Sequence, residues 1–437
     1  MNKSILKFMR KSKTMILSTD GIKLWGTKVY YALDHGFIFF IEKKGLTIQN
    51  IYKNNNVSFE IDNNKLSIIV QGSGHVEILG EPTDFDRERG ILLYKVPEDV
   101  QFMKHGTVYI ARLVPDFIRV IDMRTEFKKF DIDINLDEFT EKQHPVFLSS
   151  RPWSFQQSIA AILLGAVLAT RINLFLLFLS IMGVLLAQAS FNILNGYFDF
   201  KSGNDNKLSM TSTRVFIDRI VPEHRAVQYS MMMLILAVLI GIYAVYIKPE
   251  ILLYFVIGLI GGILYNLPKI GLKRMALGDI SVFIIWSVIF LGSYIFQGGI
   301  INIPVIFISF AVGILTLSIL HSNNWRDIKD DKNANVKTVA SLLGEKISMI
   351  YYLILIYIPY ILISAAFYLS YKLLPLLSVF ITIPMSVYLA RIAINNKNIK
   401  RGELDRLTAR FTFIFAITGA VFYLGIMFIY GMDKFIL

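Results

Sequence analysis

From about residue 153 onward, apolar runs of roughly 20 residues follow one another, each long enough to cross a hydrocarbon core, with polar stretches between them. Before residue 150 the pattern changes. Short runs rich in Val, Ile, Phe and Tyr alternate with Asp-Gly, Asp-His-Gly and Asn-Asn turn signals. Strands are expected over Met15–Thr19, Val29–Leu33, Phe37–Ile41, Val57–Ile61, Leu66–Val70, His75–Leu79 and Tyr109–Val114, and helices over Thr47–Lys53 and Thr83–Leu93. Many short strands with two small helices predict a barrel. The fold class is therefore a mostly-β barrel over residues 1–126, a charged linker over 127–145, and an all-α polytopic membrane domain over 146–437. Nine spans are expected, at about 153–170, 172–198, 226–247, 250–265, 277–297, 302–320, 347–371, 373–394 and 409–431.

Composition agrees with a membrane protein: 54% of the 437 residues are hydrophobic, and the mean hydropathy is +0.53. The net charge of +12 is explained by position. The loops 200–225, 266–275, 321–346 and 395–410 hold 18 Lys and Arg, whereas the alternate segments hold only Arg171, Lys248, Lys372 and Lys434. This is the positive-inside pattern rather than a nucleic-acid footprint, so no nucleic-acid partner is expected. It predicts a multi-pass protein of the cytoplasmic membrane, with its front domain inside and its C-terminus outside. Cysteine is absent, which excludes thiolate nucleophiles and cysteine-ligated metal centres. The first residues carry charge but lack the apolar core of a signal peptide.

The candidate chemistry lies at the ends of two apolar runs. In N-I-L-N-G-Y-F-D-F-K-S-G-N-D, residues 192–205, helical spacing puts Asn192, Asn195 and Asp199 on one face, and Asp205 follows after Gly203. In H-S-N-N-W-R-D-I-K-D-D, residues 321–331, Asn323, Asp327 and Asp331 recur at helical spacing, with Asp330 beside the last. Carboxylates at a membrane edge are costly to keep without a cation. Such hard oxygen ligands suit Mg²⁺, which is commonly held by one or two carboxylates together with substrate phosphates. With nearby cations, two such clusters suit a diphosphate leaving group. The surrounding apolar helices suit a hydrocarbon tail.

R-P-W-S at 151–154, the two acid motifs, Y-N-L-P-K at 265–269, L-G-D at 277–279, K-T-V-A-S-L-L-G at 337–344 and L-T-A-R at 407–410 resemble the UbiA superfamily of intramembrane prenyltransferases. Their wording is most similar to the 1,4-dihydroxy-2-naphthoate polyprenyltransferase branch. The resemblance implies Mg²⁺-dependent transfer of a prenyl group from an allylic diphosphate to an aromatic acceptor, as in menaquinone synthesis, with membrane lipid around the enzyme. It implies metal ligation by Asn195, Asp199, Asp205, Asp327 and Asp331, and catalytic roles for Asp199, Asp327, Tyr265 and Asp279. Placement within the motifs or in loops on the same side puts Asn192, Asn323, Arg326, Lys201, Lys269 and Lys337 at the substrate. Two departures stand out: Gly196 replaces the first Asp of the usual Asn-Asp-x-x-Asp, and Asp279 stands where the naphthoate branch often has Glu.

The front domain resembles the FMN-binding split barrel of the pyridoxamine 5′-phosphate oxidase type, on the stretch from Lys28 to Asp62 followed by I-V-Q-G-S-G-H-V-E-I-L-G. That resemblance implies FMN, with Lys43, Lys44 and Thr47 at its phosphate and Gln71 and Gly72 near its ring. A helix N-terminus with adjacent lysines suits a phosphate. The fold also admits a deazaflavin, a haem or no cofactor. The alternatives are a membrane-anchored flavin reductase with a silent helical domain, and a UbiA-type enzyme with a non-naphthoate or lipid acceptor. A transporter would need polar residues near mid-membrane, whereas the acids here cluster at one membrane edge.

Overall fold

The computed structural model describes residues 3–62, 68–96, 99–104, 106–124, 127–141, 145–169, 171–203, 207, 214–268, 270–333, 336–395 and 403–430. It divides into two compact units, Met1–Leu148 with Asp205–Glu223, and Ser149–Asn204 with His224–Leu437.

In the first unit, α1 (Lys3–Lys11) precedes β1 (Thr14–Thr19), β2 (Trp25–Leu33), β3 (Phe37–Glu42), α2 (Leu46–Lys53), β4 (Asn56–Ile61), β5 (Ile68–Gly80), α3 (Asp86–Lys95), α4 (Val100–Lys104), β6 (Val108–Asp122) and β7 (Lys128–Asp131). The antiparallel order β3-β2-β1-β4-β5-β6 is closed by β3 pairing with β6, giving a six-stranded barrel with β7 added beside β6. The strand Phe37–Ile41 has no polar alternation because both its faces are covered. Phe37, Phe39 and Ile41 enter the barrel core, while Ile38 and Phe40 pack with Leu92, Leu93 and Met103 of α3 and α4.

Three expectations change here. The runs read at Leu66–Val70, of which Leu66 and Ser67 lie outside the described residues, and at His75–Leu79 meet in one strand, β5, because Gly72 and Gly74 carry it past β6 instead of ending it. A Cβ at Gly72 would lie 2.3 Å from the Phe117 carbonyl oxygen, and one at Gly74 would lie 2.2 Å from that of Val114. Residues 127–145, read as a linker on the domain surface, include β7, and Phe139 within them is fully buried in the barrel core. The polar loop 200–225 also contributes to this unit. Val215, Phe216 and Ile217 are buried, and Asp218 accepts from Arg89 of α3 at 2.9 Å.

The second unit begins as α5 (Pro145–Ser149) ends. It then contains α6 (Phe155–Leu168), α7 (Leu174–Lys201), α8 (Glu223–Ile247), α9 (Leu252–Asn266), α10 (Gly278–Phe296), α11 (Ile303–Arg326), α12 (Ile328–Asn333), α13 (Val339–Leu369), α14 (Ile383–Ile394) and α15 (Leu404–Tyr430). Among the described residues, eight helical segments are long and apolar enough to cross a membrane, rather than the nine expected. The first expected span falls short, as Pro152–Leu168, because Pro152 opens its first turn and the chain leaves helical geometry at Ala169. The chain is a multi-pass membrane protein. The most enclosed span is α11, and its core partners include Tyr352 and Ile356 of α13, Phe290 of α10 and Phe411 of α15. Segments α7, α8 and α9 are largely exposed on their apolar faces, as lipid-facing helices are.

Candidate active site

Helix α7 presents Asn195 and Asp199 one turn apart, as their spacing requires. Both meet the same cation: the Lys273 ammonium donates to the Asn195 side-chain oxygen, and to the two Asp199 oxygens at 2.8 Å each. Arg274 donates to Asp199 at 3.0 Å and to Ser202 at 2.8 Å. The two cations project from the 3-10 turn Leu272–Arg274 that follows α9. Burial pushes the Lys273 ammonium below its usual range; Arg151 and Arg274 add to this, and Asp199 opposes it. Gly203, at φ +75°, ends the helix with a backbone conformation that suits glycine.

The second motif closes α11 and opens α12. Trp325 is buried, and its indole N–H donates to Glu345 at 3.0 Å, fixing the helix end. Arg326 donates to both Asp327 oxygens at 2.7 and 2.8 Å, and to Asp405 of α15 at 2.7 Å. Asp331 accepts from the Thr338 hydroxyl at 3.1 Å, and Thr338 also caps α13 in a reciprocal box with Ser341.

A backbone bridge connects these two halves. Met275 pairs with Lys337, Ala276 N–H donates to the Lys337 carbonyl at 2.7 Å, and Lys337 N–H donates to that of Arg274 at 3.3 Å. The turn that holds Asp199 is thus joined to the residue preceding Thr338, which holds Asp331. Both acid motifs belong to one contiguous polar network at one end of the helical unit.

Behind this network lies a third group. The charges of Arg151, Asp199 and Asp279 all act on the Tyr265 hydroxyl. Asp279, in the first turn of α10, is buried, and neither carboxylate oxygen has a hydrogen-bond partner of good geometry. Asn192 donates to the Ser150 carbonyl at 2.7 Å and to the Ser154 hydroxyl at 3.1 Å. Its amide therefore holds the turn that carries Arg151, which adopts φ 53°. Asn192 thereby fixes the turn on which this cation stands.

The remaining candidates separate. Asp205 and Lys269 lie outside the described residues. Asn323 is half-buried on α11, Lys201 is exposed with its ammonium over the Tyr197 ring, and Lys337 is exposed while its backbone forms the bridge. No group of three or more acids, His or Cys among the described residues forms a metal cage. The donor set nevertheless fits Mg²⁺ bound mainly through substrate: each motif offers a partly accessible carboxylate, and the cations beside it match phosphate oxygens.

In the barrel, Lys43 pairs with Glu81 at 2.6 Å, Lys44 is exposed and Thr47 is buried. Gln71 donates to Glu60 at 2.7 Å. Glu42 pairs with Val108 at one end of β6, whereas Gln71 pairs with Arg119 at the other. At about 3.3 Å per residue, this separates the two groups by roughly 35 Å of strand. The expected phosphate group of residues and the expected ring group thus sit toward opposite ends of β6. Gly72 is required by the β6 backbone that it crosses.

Three site residues went unread in the sequence. Arg274 adjoins Lys273 in a loop where either cation could face the motif, Asp405 is a lone acid opening a span, and His321 begins the second motif without metal-ligand spacing.

The sequence profile of the UbiA prenyltransferase family matches residues 158–417. UbiA prenyltransferase domain-containing protein 1 of Danio rerio is 35% identical over 258 residues, covering 56% of this chain and 74% of the relative. The Homo sapiens protein of that name is 34% identical over 257 residues, covering 56% and 73%. A solved UbiA homolog from Archaeoglobus fulgidus bound to GPP and Mg2+ is 18% identical, with a TM-score of 0.49, covering 64% of this chain and 99% of that one. The chain belongs to the UbiA prenyltransferase family, and it is a prenyltransferase.

Proposed function

We propose that this enzyme transfers a prenyl group from an allylic prenyl diphosphate to a carbon of an electron-rich aromatic acceptor, of the dihydroxynaphthoate kind used in quinone synthesis. The observation that carries this reading is the bridge between Met275 and Lys337, which joins two acid motifs and their cations in one network. A diphosphate needs such an array, since negative charge grows on it as the carbon–oxygen bond breaks.

In this reading Asn195, Asp199 and Asp205 hold Mg²⁺ on one side, and Asp327 and Asp331 hold it on the other. The metal supplies charge neutralisation of the leaving group. Lys273, Arg274 and Arg326 exchange their carboxylate partners for phosphate oxygens, a change between two charge-assisted hydrogen bonds of similar strength. The apolar helices enclose the prenyl tail and keep water from the allylic cation. Tyr265, whose hydroxyl is within the electrostatic reach of Asp199, is the aromatic residue assigned to the cation in this reading. Both motifs occupy the cytoplasmic side, given the distribution of Lys and Arg. No step runs through a flavin.

The test is purified protein with Mg²⁺, a labelled prenyl diphosphate and a panel of dihydroxynaphthoate, hydroxybenzoate, homogentisate and glycerol-phosphate acceptors, read by mass spectrometry. A prenylated aromatic product, lost in Asp199→Ala, supports the reading. Prenylation of the glycerol phosphate alone overturns the aromatic acceptor.

A further inference from the structure

The first unit holds a cavity of about 360 Å³ where β2 ends. Its lining comes from Leu33 and Asp34, from α3, from residues 140–141 and from residues 218–220, all within that unit. The lining is of two kinds. Leu33, Ile91 and Ile220 make an apolar wall, while Arg87 and Arg219 bring guanidinium groups on side chains that are 66% and 82% exposed. Solvent-facing arginines are ordinary on a protein surface, but they need no apolar recess beside them.

The ion pairs around this cavity do not balance. Asp34 accepts from Arg87 at 2.8 Å and has Arg112 3.6 Å from its other oxygen, and Arg112 also meets Glu88 at 3.3 Å. Glu141 pairs with Lys95 at 2.9 Å. Asp218 serves Arg89 and Arg214 at 2.8 and 2.9 Å. Asp86 is shared by Arg89 at 2.6 Å, Lys207 at 3.2 Å and Arg219 at 3.9 Å. Seven cations thus share five carboxylates, and Arg219 is the one held least closely. Its backbone is unusual as well. At φ 50° it occupies the left-handed region, which is uncommon for a residue with a long side chain. Such a conformation persists only where its surroundings impose it, and the preceding Asp218 is pinned by two guanidinium groups. The fold therefore keeps an unmatched cation at the rim of an apolar recess.

These properties define a ligand. An excess of positive charge selects an anion, and a guanidinium pairs with a carboxylate through two parallel N–H donors. The apolar wall selects a hydrophobic body. Small-molecule sites run from roughly 300 to 1,000 Å³, so a cavity of about 360 Å³ takes one or two rings and not a polyprenyl chain. A diphosphate is disfavoured too, because Asp34, Glu141 and Asp218 line the same space and repel multiple negative charge.

We infer that this cavity binds a small aromatic carboxylate, whose carboxylate meets Arg87 and Arg219 and whose ring lies against Leu33, Ile91 and Ile220. The inference rests on the aromatic-acceptor reading above, since an aromatic carboxylate is the acceptor class named there. The barrel is then an acceptor-binding domain. Arg219 and Ile220 belong to the segment joining α7 to α8, so bound acceptor also touches the chain that continues from the first acid motif.

Fluorescence titration of the full-length protein with 1-hydroxy-2-naphthoate tests the site, with 1-naphthol and 1-naphthyl phosphate as uncharged and more highly charged comparisons. Arg219 is the residue to change, because its exposed side chain leaves the fold intact when replaced, as an unchanged melting temperature should show. A saturable phase is expected that weakens about tenfold in Arg219→Gln, disappears in Arg219→Glu and is untouched by Asp199→Asn. Turnover at saturating acceptor should stay within about twofold of wild type in both Arg219 variants. Binding that ignores Arg219, or that is as strong for 1-naphthol, overturns the site. Tighter binding of 1-naphthyl phosphate than of the carboxylate overturns the ligand class. Normal prenylation of an aromatic carboxylate without any Arg219-sensitive phase overturns the cavity alone, whereas a wild-type enzyme that prenylates no aromatic carboxylate overturns the acceptor reading itself.

Discussion

Arg89 and Asp218, 129 positions apart in the chain, pair at 2.8 Å with neither side chain exposed. Asp218 also accepts from Arg214 at 2.9 Å, so one carboxylate serves two buried guanidinium groups. Removing one partner of a buried pair leaves the other charge without compensation. Asp218→Ala should therefore destabilise the first unit by about 3–5 kcal/mol, seen as a lowered midpoint in chemical denaturation. Asp218→Asn, which keeps an acceptor, should lose less.

Asp199→Asn keeps the shape of the side chain and removes its charge. Lys273 and Arg274 would keep an oxygen to bind, so the fold should survive, while metal and diphosphate lose an anchor. Prenyl transfer at saturating Mg²⁺ should fall about 100-fold or more. A variant with wild-type turnover would remove Asp199 from the reaction.

Arg326 divides its donors between Asp327 and Asp405. Asp405→Ala should release the guanidinium from α15, weakening its orientation toward a diphosphate. The expected result is a KM for prenyl diphosphate raised about tenfold, with thermal stability changed only slightly because the site is partly exposed. An unchanged KM would limit Asp405 to a surface ion pair.

Thr338→Val is nearly isosteric and deletes two contacts, the cap of α13 and the bond to Asp331. Loss of the cap should cost about 1 kcal/mol. Loss of the Asp331 contact should also lower activity. Preserved stability with reduced turnover would show that the hydroxyl serves Asp331 more than the helix.

Flavin titration addresses the barrel. Because Lys43 is engaged by Glu81 and lies at the other end of β6 from Gln71, the isolated monomer should show no saturable 1:1 quenching of FMN fluorescence. Saturable binding that weakens in both Lys43→Ala and Gln71→Ala would show that the two positions meet at one flavin.

Much of this arrangement was legible along the chain. The runs that became α7 to α11 and α13 to α15 are apolar over lengths that only a membrane or a large core accommodates. Asn195 and Asp199 share a helix face because the helical period demands it. Phe37–Ile41 formed a strand as its β-branched and aromatic content suggested. The chain alone was silent where a residue's neighbours come from distant segments. Gly72 packs against the Phe117 carbonyl on a neighbouring strand, which leaves no room for a Cβ. The Asn192 amide holds the turn before α6.

The sequence by itself determined that the chain has a β-rich front and a polytopic helical back, and that two acid motifs sit at helix ends. Hydrophobic periodicity and the cost of charge in hydrocarbon are local properties, readable one segment at a time. Tertiary structure decided which cations face which acids, that the 271–277 turn bridges the motifs through Lys337, and that Asp279 lies beside His321. Those outcomes depend on how elements far apart in sequence pack, because a side chain's partner is set by the approach of two backbones and not by spacing along either one.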